Sequence, residues 1–285
     1  NFVVVWESYL QDGSSAGVFG QRFNSTGDPV GSEFQVHTYT TSFQKQPAVA
    51  SDDSGNFVVV WESGGQDGAT YGVFGQRFNS VGSPVGSEFQ VNTYTEDRQS
   101  KPAVASDDSG NFVVVWESDG QDGSYWGVFG QRFNSAGAPL GSEFQVNTYT
   151  TDAQREPAVA VDGSGNFTVV WESVGQDGAS TGVFGRRFNS AGTALGSEFQ
   201  INTYTTFDQF IPTVAAYGSG NFVVAWTSYL QDGSSSGIFG QRFNPAGSAG
   251  SEFQVNTNAA YSQSNSELAT DGSGNFVVVW SSDGQ

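Results

Sequence analysis

The 285-residue chain has no cysteine, no methionine and a single histidine, His37. Without cysteine, neither a disulfide framework nor a thiol site can form. One histidine and no cysteine also exclude a zinc site of the usual composition and a Ser-His-Asp triad. His37 stands where the other copies of the same segment have asparagine, so we interpret it as a replacement for a strand-end amide.

Long apolar runs are absent as well, and there is no signal peptide, so we expect no membrane insertion. The glycines do not open helices, which excludes a glycine-rich phosphate loop. The chain begins without methionine in the middle of a strand-like segment. We therefore expect it to be a mature or excised part of a longer protein.

Positive charge is scarce: 10 Lys and Arg residues stand against 29 Asp and Glu residues, for a formal net charge of −19. A surface of this sign repels nucleic acid and anionic membranes, so neither is an expected partner. Gly (38 residues) and Phe (24 residues) are abundant, whereas Leu and Lys are rare. This composition favours an all-β protein with many turns.

One segment, Asn-Phe-Val-Val-Val-Trp-Glu-Ser in its first copy, recurs along the whole chain. Its copies begin at Asn1, Asn56, Asn111, Asn166, Asn221 and Asn275, with a spacing of 55 residues four times and 54 once. A fixed period of this size is typical of a repeat architecture, in which each unit buries its apolar faces against a neighbour. We expect a single repeat domain over residues 1–285, with a partial repeat at 275–285.

Residues 44–93 serve as the type repeat and contain four strand-like runs. These are Pro47–Ala50, Phe57–Trp61, Val73–Phe78 and Phe89–Thr93, each bounded by turn residues. Since the second run is apolar on both faces, it must be covered on both faces. The pattern predicts a β-propeller of four-stranded antiparallel blades, with five as the preferred count. An open or six-bladed arrangement and a β-solenoid are the alternatives.

The two ends of the chain raise a question of closure. In a five-bladed ring, residues 266–271 would pair with Phe2–Trp6 and close the circle, which leaves Asn275–Trp280 as a surplus strand. That strand either displaces its N-terminal copy or shows that the chain was cut from a longer array. An unpaired strand edge is also a template for another chain. Self-association through the chain ends is therefore a further expectation.

The loops of the repeat are divided between two faces. The turns at 51–55 and 79–86 share one face, and the loop at 63–72 shares the other with the crossover at 93–102, which varies more between copies. Varied loops on a rigid scaffold are where binding usually occurs, although loops also simply tolerate change. Aromatic rings with amide and carboxylate groups suit a glycan, so the candidate ligand-binding residues are Tyr9, Gln11, Asp12, Gln66, Asp67, Tyr71, Gln121, Asp122, Tyr125, Trp126, Gln176, Asp177, Gln231 and Asp232.

The recurring Gln-Asp-Gly triplet has two interpretations. Its aspartates form turns, because an Asp side chain readily accepts a hydrogen bond from the backbone two residues on. Alternatively, they contribute to Ca²⁺ sites, which require six to eight oxygen ligands. We favour the turn, and the candidate metal ligands are Asp12, Asp67, Asp122, Asp177 and Asp232.

Arginine and glutamate also recur once per repeat. Arg22, Arg77, Arg132, Arg187 and Arg242 lie in the third strand; Glu7, Glu62, Glu117 and Glu172 follow the tryptophan; Glu33, Glu88, Glu143, Glu198 and Glu252 precede the fourth strand. Catalysis of glycoside hydrolysis requires one site with a pair of carboxylates. Since these residues are spread evenly over the repeats, we expect structural Arg–Glu bridges and no catalytic residue.

Four stretches carry a resemblance to known repeats: Phe-Val-Val-Val-Trp-Glu-Ser, Gln-Asp-Gly-Ser, Gly-Val-Phe-Gly-Gln-Arg-Phe and Gly-Ser-Glu-Phe-Gln-Val-Asn-Thr-Tyr-Thr. Over essentially the whole chain they resemble a repeat of large secreted proteins of cyanobacteria and proteobacteria, which accompanies haemolysin-type calcium-binding segments. This resemblance implies a secreted protein in an extracellular or cell-surface setting. The first hairpin is also similar to integrin-type FG-GAP units, but the acidic calcium loop of those units is missing.

Three functions follow as hypotheses. The first is a non-catalytic extracellular adhesion module that binds a glycan, or another cell-surface or matrix component, through the varied loops. The second is a structural building block of an extracellular fibre, sheath or surface layer. A glycosidase is the least favoured, because no cluster of acids is unique to one repeat. No cofactor is required by these hypotheses, and Ca²⁺ is the candidate ion.

Overall fold

The computed structural model describes residues 1–283, and all regular secondary structure in that range is β-strand. The last two residues of the partial repeat 275–285 lie outside the described range. Within it, no helix is long and apolar enough to cross a membrane. The strands are β1 (Phe2–Tyr9), β2 (Ala16–Phe23), β3 (Pro29–Gln35), β4 (Gln44–Ser51), β5 (Phe57–Gly64), β6 (Tyr71–Phe78), β7 (Pro84–Gln90), β8 (Gln99–Ser106), β9 (Phe112–Asp119), β10 (Trp126–Phe133), β11 (Phe144–Gln145), β12 (Gln154–Val161), β13 (Phe167–Val174), β14 (Thr181–Phe188), β15 (Phe199–Gln200), β16 (Gln209–Tyr217), β17 (Asn221–Tyr229), β18 (Ser236–Phe243), β19 (Phe253–Gln254), β20 (Gln263–Thr270) and β21 (Phe276–Ser282).

The strands form sheets in chain order. Four sheets have four strands each, namely β4 to β7, β8 to β11, β12 to β15 and β16 to β19. The first sheet has three strands, β1 to β3, and the last has two, β20 and β21. Strand neighbours pair antiparallel, for example Phe57 opposite Phe78. The prediction of an all-β chain with four-stranded antiparallel units is confirmed.

Two details of the predicted repeat differ from the structure. In the first two sheets the last strand, β3 or β7, starts within the predicted turn, because Pro29 already pairs with Phe23 and Pro84 with Phe78. In β4, the first strand of the second sheet, Gln46 adopts a left-handed φ of 52° before Pro47. This residue produces a register shift between Lys45 and Ala48, which is a β-bulge.

The strand pairing at the end of the chain corrects the expected ring closure. Residues 263–270 form β20, which pairs with β21 of its own repeat, for example Leu268 opposite Val278. In the described residues, the partner of β1 is β2. The predicted pairing of residues 266–271 with Phe2–Trp6 is therefore wrong, and the alternative is confirmed: the last strand takes the place of its N-terminal copy beside β20.

The chain divides into two compact units, residues 1–121 with 129–144 and residues 122–128 with 145–285. In the first unit, the second strand of a repeat shows how neighbouring sheets pack. Phe57, Val59 and Trp61 of β5 cluster with residues of the preceding repeat such as Val18 and Val36. We call this side of a second strand its head face.

The intervening residues of β5 point the other way. Val58 and Val60 cluster with Phe112, Val114 and Trp116 of the following repeat. We call this side the tail face. Each such interface thus packs the tail face of one repeat on the head face of the next, which explains why the second strand is apolar on both sides.

The second unit repeats this packing. Val170 on the tail face of β13 clusters with Phe222, Val224 and Trp226 on the head face of β17. These side chains are nearly or completely inaccessible to solvent. Dense packing of large side chains is the main source of stability in such a stack. The sequence of the second strand therefore recurs in each repeat because its side chains form the core.

A recurring glutamate fastens neighbouring repeats at one end of the sheets. One carboxylate oxygen of Glu88 accepts the side-chain amide of Gln66, and the other accepts the backbone N–H of Thr38 at 2.8 Å. The same hydrogen bonds recur at Glu143, Glu198 and Glu252. We call this arrangement the glutamate clip.

A recurring arginine fastens the other end. The guanidinium of Arg22 donates to the carbonyl of Val81 at 2.7 Å, and that of Arg77 donates to the carbonyl of Ser135 at 2.6 Å. Arg187 and Arg242 bond turn carbonyls in the same way. The expected Arg–Glu bridge is therefore wrong for these four arginines. Arginine and glutamate do both join neighbouring repeats, but the arginines donate to backbone carbonyls and the clip glutamates accept from backbone N–H groups.

Candidate active site

The glutamate that follows the tryptophan lies at the loop end of each second strand, and its cross-strand neighbour differs between repeats. Glu62 stands opposite Lys45, and Glu117 stands opposite Ser100. In the fourth sheet Glu172 stands opposite Arg155. Identical glutamates therefore have different surroundings, which supplies the asymmetry that the sequence pattern concealed.

Glu62 is completely buried, and two cations form ion pairs with it. Its side chain has no exposed surface, whereas the Lys45 side chain is 28% exposed. One carboxylate oxygen lies 3.5 Å from the Lys45 ammonium and 3.3 Å from the Arg98 guanidinium. Arg98 comes from the crossover that leads into the next repeat, so two consecutive repeats build this site.

Burial raises the pKa of the Glu62 carboxyl above its ordinary value of 4.5, and the charges of Arg98 and Lys45 oppose that shift. Desolvation disfavours the ionised form, and it is the larger effect here even with two cations nearby. The carboxyl therefore holds its proton to higher pH than an exposed glutamate. A carboxyl whose pKa is raised by burial is the kind of group that donates a proton in catalysis.

An aromatic platform adjoins the acid. The rings of Phe43 and Tyr71 lie 5.1 Å apart between centroids. The Arg98 guanidinium lies 4.4 Å above the Tyr71 ring, and the Lys45 ammonium lies 4.6 Å from the Phe43 centroid. Cations over ring faces hold both partners in place. Tyr71, a predicted ligand-binding residue, is thus brought beside Glu62.

The neighbouring repeat supplies a second buried carboxylate. Glu117 is 7% exposed, and it accepts a hydrogen bond from the Ser100 hydroxyl at 3.0 Å. By contrast, Glu7 occupies the equivalent position in the first repeat and is exposed. The first unit therefore contains two enclosed acids, Glu62 and Glu117, at the same step of consecutive second strands.

The predicted glutamines at the loop face serve the clip between repeats. Gln66 donates to Glu88, and its side-chain oxygen accepts the Ser63 hydroxyl at 2.7 Å. Gln11, Gln121, Gln176 and Gln231 donate to the corresponding glutamates. Their ligand-binding role stays a prediction, and any ligand would compete with these hydrogen bonds.

The predicted aspartates form the turns that we favoured. Asp67 accepts the backbone N–H of Ala69, two residues on, at 3.0 Å. Asp12, Asp122, Asp177 and Asp232 make the same turn. Among residues 1–283, no three acidic or histidine side chains gather in a way that would hold a metal ion. Calcium binding at these positions stays a prediction.

The remaining predicted aromatics differ in exposure. Tyr9 ends β1 and Tyr125 precedes β10, and both are largely exposed. Trp126 begins β10, is half-buried, and lies 5.9 Å from the Arg155 guanidinium. These side chains are available for a ligand, and Glu7, the acid of the first repeat that corresponds to Glu62, is exposed.

Clefts of both units lie at the turn ends of the sheets. A cleft of about 380 Å³ between the second and third repeats is lined by Asp52, Asn56, Arg77 and Ser135. Its polar groups already bond one another: Asn56 donates to Asp52 at 2.8 Å, and Arg77 donates to Ser135. Since its polar lining is already paired, this cleft is a weaker candidate than the Glu62 site.

No protein-family model and no curated protein sequence matches the chain, whereas several solved structures are similar to it. A protein of unknown function from Dyadobacter fermentans has a TM-score of 0.58 at 9% identity, over 90% of this chain and 79% of that one. An α-L-arabinanase from Penicillium chrysogenum has a TM-score of 0.57 at 13% identity, over 85% and 76%. An α-L-arabinofuranosidase from Fusarium graminearum has a TM-score of 0.59 at 15% identity, over 95% and 85%.

The fold is a β-propeller. Two of the three similar structures are glycosidases, and this finding overturns the expectation of a non-catalytic binding module and of a chain that is not an enzyme. The second hypothesis, a structural building block, is also non-catalytic, so the same finding overturns it.

Sequence reasoning missed the importance of Glu62 because its repeat position looked uniform. The signal was present one strand earlier. The residue after the first glutamine of the first strand is Lys45, Ser100, Arg155, Phe210 or Ser264, so the charge at this position differs between repeats. Each of these residues lies across from the acid position, which only the strand register reveals.

Proposed function

We propose that this protein is a glycoside hydrolase whose proton donor is Glu62. The observation that carries the proposal is the enclosed carboxyl of Glu62, which burial keeps protonated at higher pH than usual, at the loop end of β5. Hydrolysis of a glycosidic bond needs one protonated carboxyl to give a proton to the leaving oxygen.

The reaction also needs a second carboxylate, which stays ionised and attacks the anomeric carbon or takes a proton from the attacking water. Glu117 is not that carboxylate, although it is the other buried acid at this repeat position in the first unit. It follows Trp116, which faces β5, so the side chain of Glu117 points to the opposite side of the third sheet from Glu62.

The substrate class we propose is an arabinose-containing polysaccharide or oligosaccharide. The fold likeness to an arabinanase and an arabinofuranosidase supports this choice. The rings of Tyr71 and Phe43 suit the apolar face of a sugar, and the Lys45 ammonium suits its hydroxyl groups.

The test is release of reducing sugar from arabinan and from aryl arabinofuranosides by the wild-type chain and by two matched variants. Glu62→Gln removes the transferable proton but keeps the shape, and it should lower kcat by at least about a hundredfold. Glu7→Gln changes the same repeat position where the side chain is exposed, and it should retain full activity. Equal activity of both variants would refute the role of Glu62.

Two finer points belong to the same proposal. Five blades is our count from the five complete copies of the repeat, and the four complete sheets account for four of them. An extracellular setting follows from the resemblance of the repeat to secreted bacterial proteins. A polysaccharide too large to enter a cell is a substrate consistent with that setting.

A further inference from the structure

Lys45 and Arg98 bring two positive charges together at the Glu62 site of a strongly acidic protein. Five of the ten Lys and Arg residues are the arginine that recurs in the third strand, and Lys45 and Arg98 are two of the other five. Both form an ion pair with Glu62. In a chain with a net charge of −19, two cations at one small site create a local field of the opposite sign.

This pair of cations occurs at one step of the repeat pattern. Lys45 lies in the first strand of its repeat, and Arg98 lies in the crossover that leads into the next repeat. The equivalent pairs of residues further along the sequence are Ser100 with Ala153, Arg155 with Asp208 and Phe210 with Ser262. None of these pairs contains two cations. Packing of one repeat on the next therefore does not require the pair, unlike the glutamate clip, which recurs.

Glu62 cannot neutralise both cations. The Lys45 ammonium and the Arg98 guanidinium lie 3.5 Å and 3.3 Å from the same atom, Oε1 of Glu62. An ionised Glu62 carries one negative charge against two positive charges, and a protonated Glu62 carries none. Two like charges that lie this close repel each other, so an additional anion between them is favourable.

Both cations are held in place and also reach solvent. The ring of Tyr71 lies below Arg98, and the ring of Phe43 lies beside Lys45. The Lys45 side chain is 28% exposed and that of Arg98 is 35% exposed, whereas Glu62 is buried. The exposed parts of the cations thus adjoin an aromatic surface that suits the apolar face of a sugar. A sugar with a negative charge would match the rings and the cations together.

We propose that Lys45 and Arg98 bind a carboxylate of the substrate, so that the saccharide on which this protein acts carries a uronic acid residue. The inference rests on the function proposed above for Glu62, and it narrows the arabinose-containing substrate to an acidic one. A guanidinium can donate two parallel hydrogen bonds to a carboxylate, and an ammonium adds a compact positive charge. The hydroxyl groups of a neutral sugar would leave both positive charges uncompensated.

A bound carboxylate would also favour the protonated form of Glu62. The charges of Arg98 and Lys45 lower the pKa of Glu62 and oppose the effect of burial. A substrate carboxylate takes over these cations and places a second negative charge near Glu62, and both changes raise that pKa. Hydrolysis of an acidic substrate should therefore continue to higher pH than hydrolysis of a neutral one.

The test compares two oligosaccharides that differ at one carboxyl. The first is an arabino-oligosaccharide with one glucuronic acid residue, and the second is the same compound with that carboxyl reduced to an alcohol. Calorimetric titration measures their binding to Glu62→Gln, which lacks the transferable proton. In this background Lys45→Met and Arg98→Gln each remove one cation of the pair. Arg155→Met is the matched control, because it removes a cation at the position equivalent to Lys45 in the fourth sheet.

The charged oligosaccharide should bind to Glu62→Gln at least about tenfold more tightly than its reduced form, and added salt should diminish this preference. Lys45→Met and Arg98→Gln should each remove most of the preference, and Arg155→Met should keep it. Equal binding of the two compounds to Glu62→Gln would overturn the inference without any further variant. A preference that survives both Lys45→Met and Arg98→Gln would overturn it as well.

Hydrolysis by the wild-type chain separates this inference from the proposed function. If both compounds bind equally and are hydrolysed equally fast, the carboxylate site is refuted and the role of Glu62 stands. If the charged compound binds preferentially but neither compound is hydrolysed, the carboxylate site is supported and the proposed hydrolysis is contradicted.

Discussion

The Nε2 atom of His37 lies 3.7 Å from Oδ2 of Asp12, and neither side chain has any exposed surface. Nδ1 of His37 lies 2.9 Å from the backbone carbonyl oxygen of Tyr39. Since a carbonyl oxygen only accepts a hydrogen bond, Nδ1 carries the proton and donates it. In neutral His37, Nε2 is therefore an acceptor that faces another acceptor. Burial lowers the pKa of His37 below its usual value of 6.5, against the opposing effects of the Tyr39 carbonyl and the charges of Asp12 and Glu88.

The first prediction concerns pH. Because the folded-state pKa of His37 is lowered, the unfolded chain binds a proton at a pH where the folded chain does not. Stability should fall as the pH drops below about 6.5, by up to about 1.4 kcal/mol per pH unit until the folded pKa is reached. His37→Asn should remove this component. Urea unfolding between pH 5 and pH 8 measures it, and identical pH slopes in both proteins would contradict it.

The same variant tests a buried acceptor. In the second repeat Asn92 donates to Gln99 at 3.2 Å, whereas Oε1 of the equivalent Gln44 has no partner among the described residues. His37→Asn restores that donor. We expect a gain of about 1 kcal/mol at pH 8, where the histidine is neutral in both states. Equal or lower stability of the variant at pH 8 would show that the amide does not reach Gln44.

A second prediction concerns backbone strain in the loop face. Leu10 has a φ of 63°, where three of the four equivalent residues in other repeats are glycines, such as Gly65 with a φ of 74°, and the fourth is Leu230 with a φ of 58°. The left-handed region is costly for leucine, and the Leu10 side chain is largely exposed. Leu10→Gly should stabilise the chain by up to about 1 kcal/mol, after the entropy cost of glycine. The reverse change, Gly65→Leu, should destabilise it; thermal unfolding compares the two, and the opposite order would contradict the assignment.

A third prediction measures the glutamate clip. Glu88→Ala removes the acceptor of both Gln66 and the Thr38 N–H, so it should cost about 1–2 kcal/mol. Glu33→Ala is the matched control, since it loses only the bond to Gln11. At concentrations where the chain is monomeric, the control should lose less stability. Equal losses would mean that the bond between repeats contributes nothing.

Much of this fold could be predicted from the sequence, because a repeated unit shows the same signals several times. The second strand, Phe57–Trp61, is apolar at every position, which correctly required cover on both faces. The start of the last strand at Pro84 could not be predicted, because Asn79 to Gly86 is rich in turn residues and was interpreted as one long turn. The bulge at Gln46 likewise depends on pairing with β5, which no local pattern encodes.

The site was less predictable for a related reason. Glu62 looks identical to Glu7 in the sequence, but a preceding first strand and the following crossover enclose Glu62 alone of the two. Its partners, Lys45 and Arg98, lie far along the chain on either side. Sequence repetition therefore hid a difference that comes entirely from tertiary contacts.

A fourth prediction concerns the pH profile of the proposed reaction. The Lys45 charge lowers the pKa of Glu62, so Lys45→Met should raise that pKa further. Because a proton donor loses activity as pH rises through its pKa, the basic limb of the kcat/KM profile should move to higher pH. Arg155→Met changes the equivalent cross-strand neighbour of Glu172 and should leave the limb in place. A shift in the opposite direction for Lys45→Met would contradict the role of Glu62.

The most direct measurement of the central claim is the product formed when the wild-type chain is incubated with arabinan and a panel of other polysaccharides. If Glu62 is a glycosidase acid, free sugars should accumulate with time in at least one incubation, and their release should disappear in Glu62→Gln. Binding without any release of sugar across the panel, or release that Glu62→Gln leaves unchanged, would contradict the account.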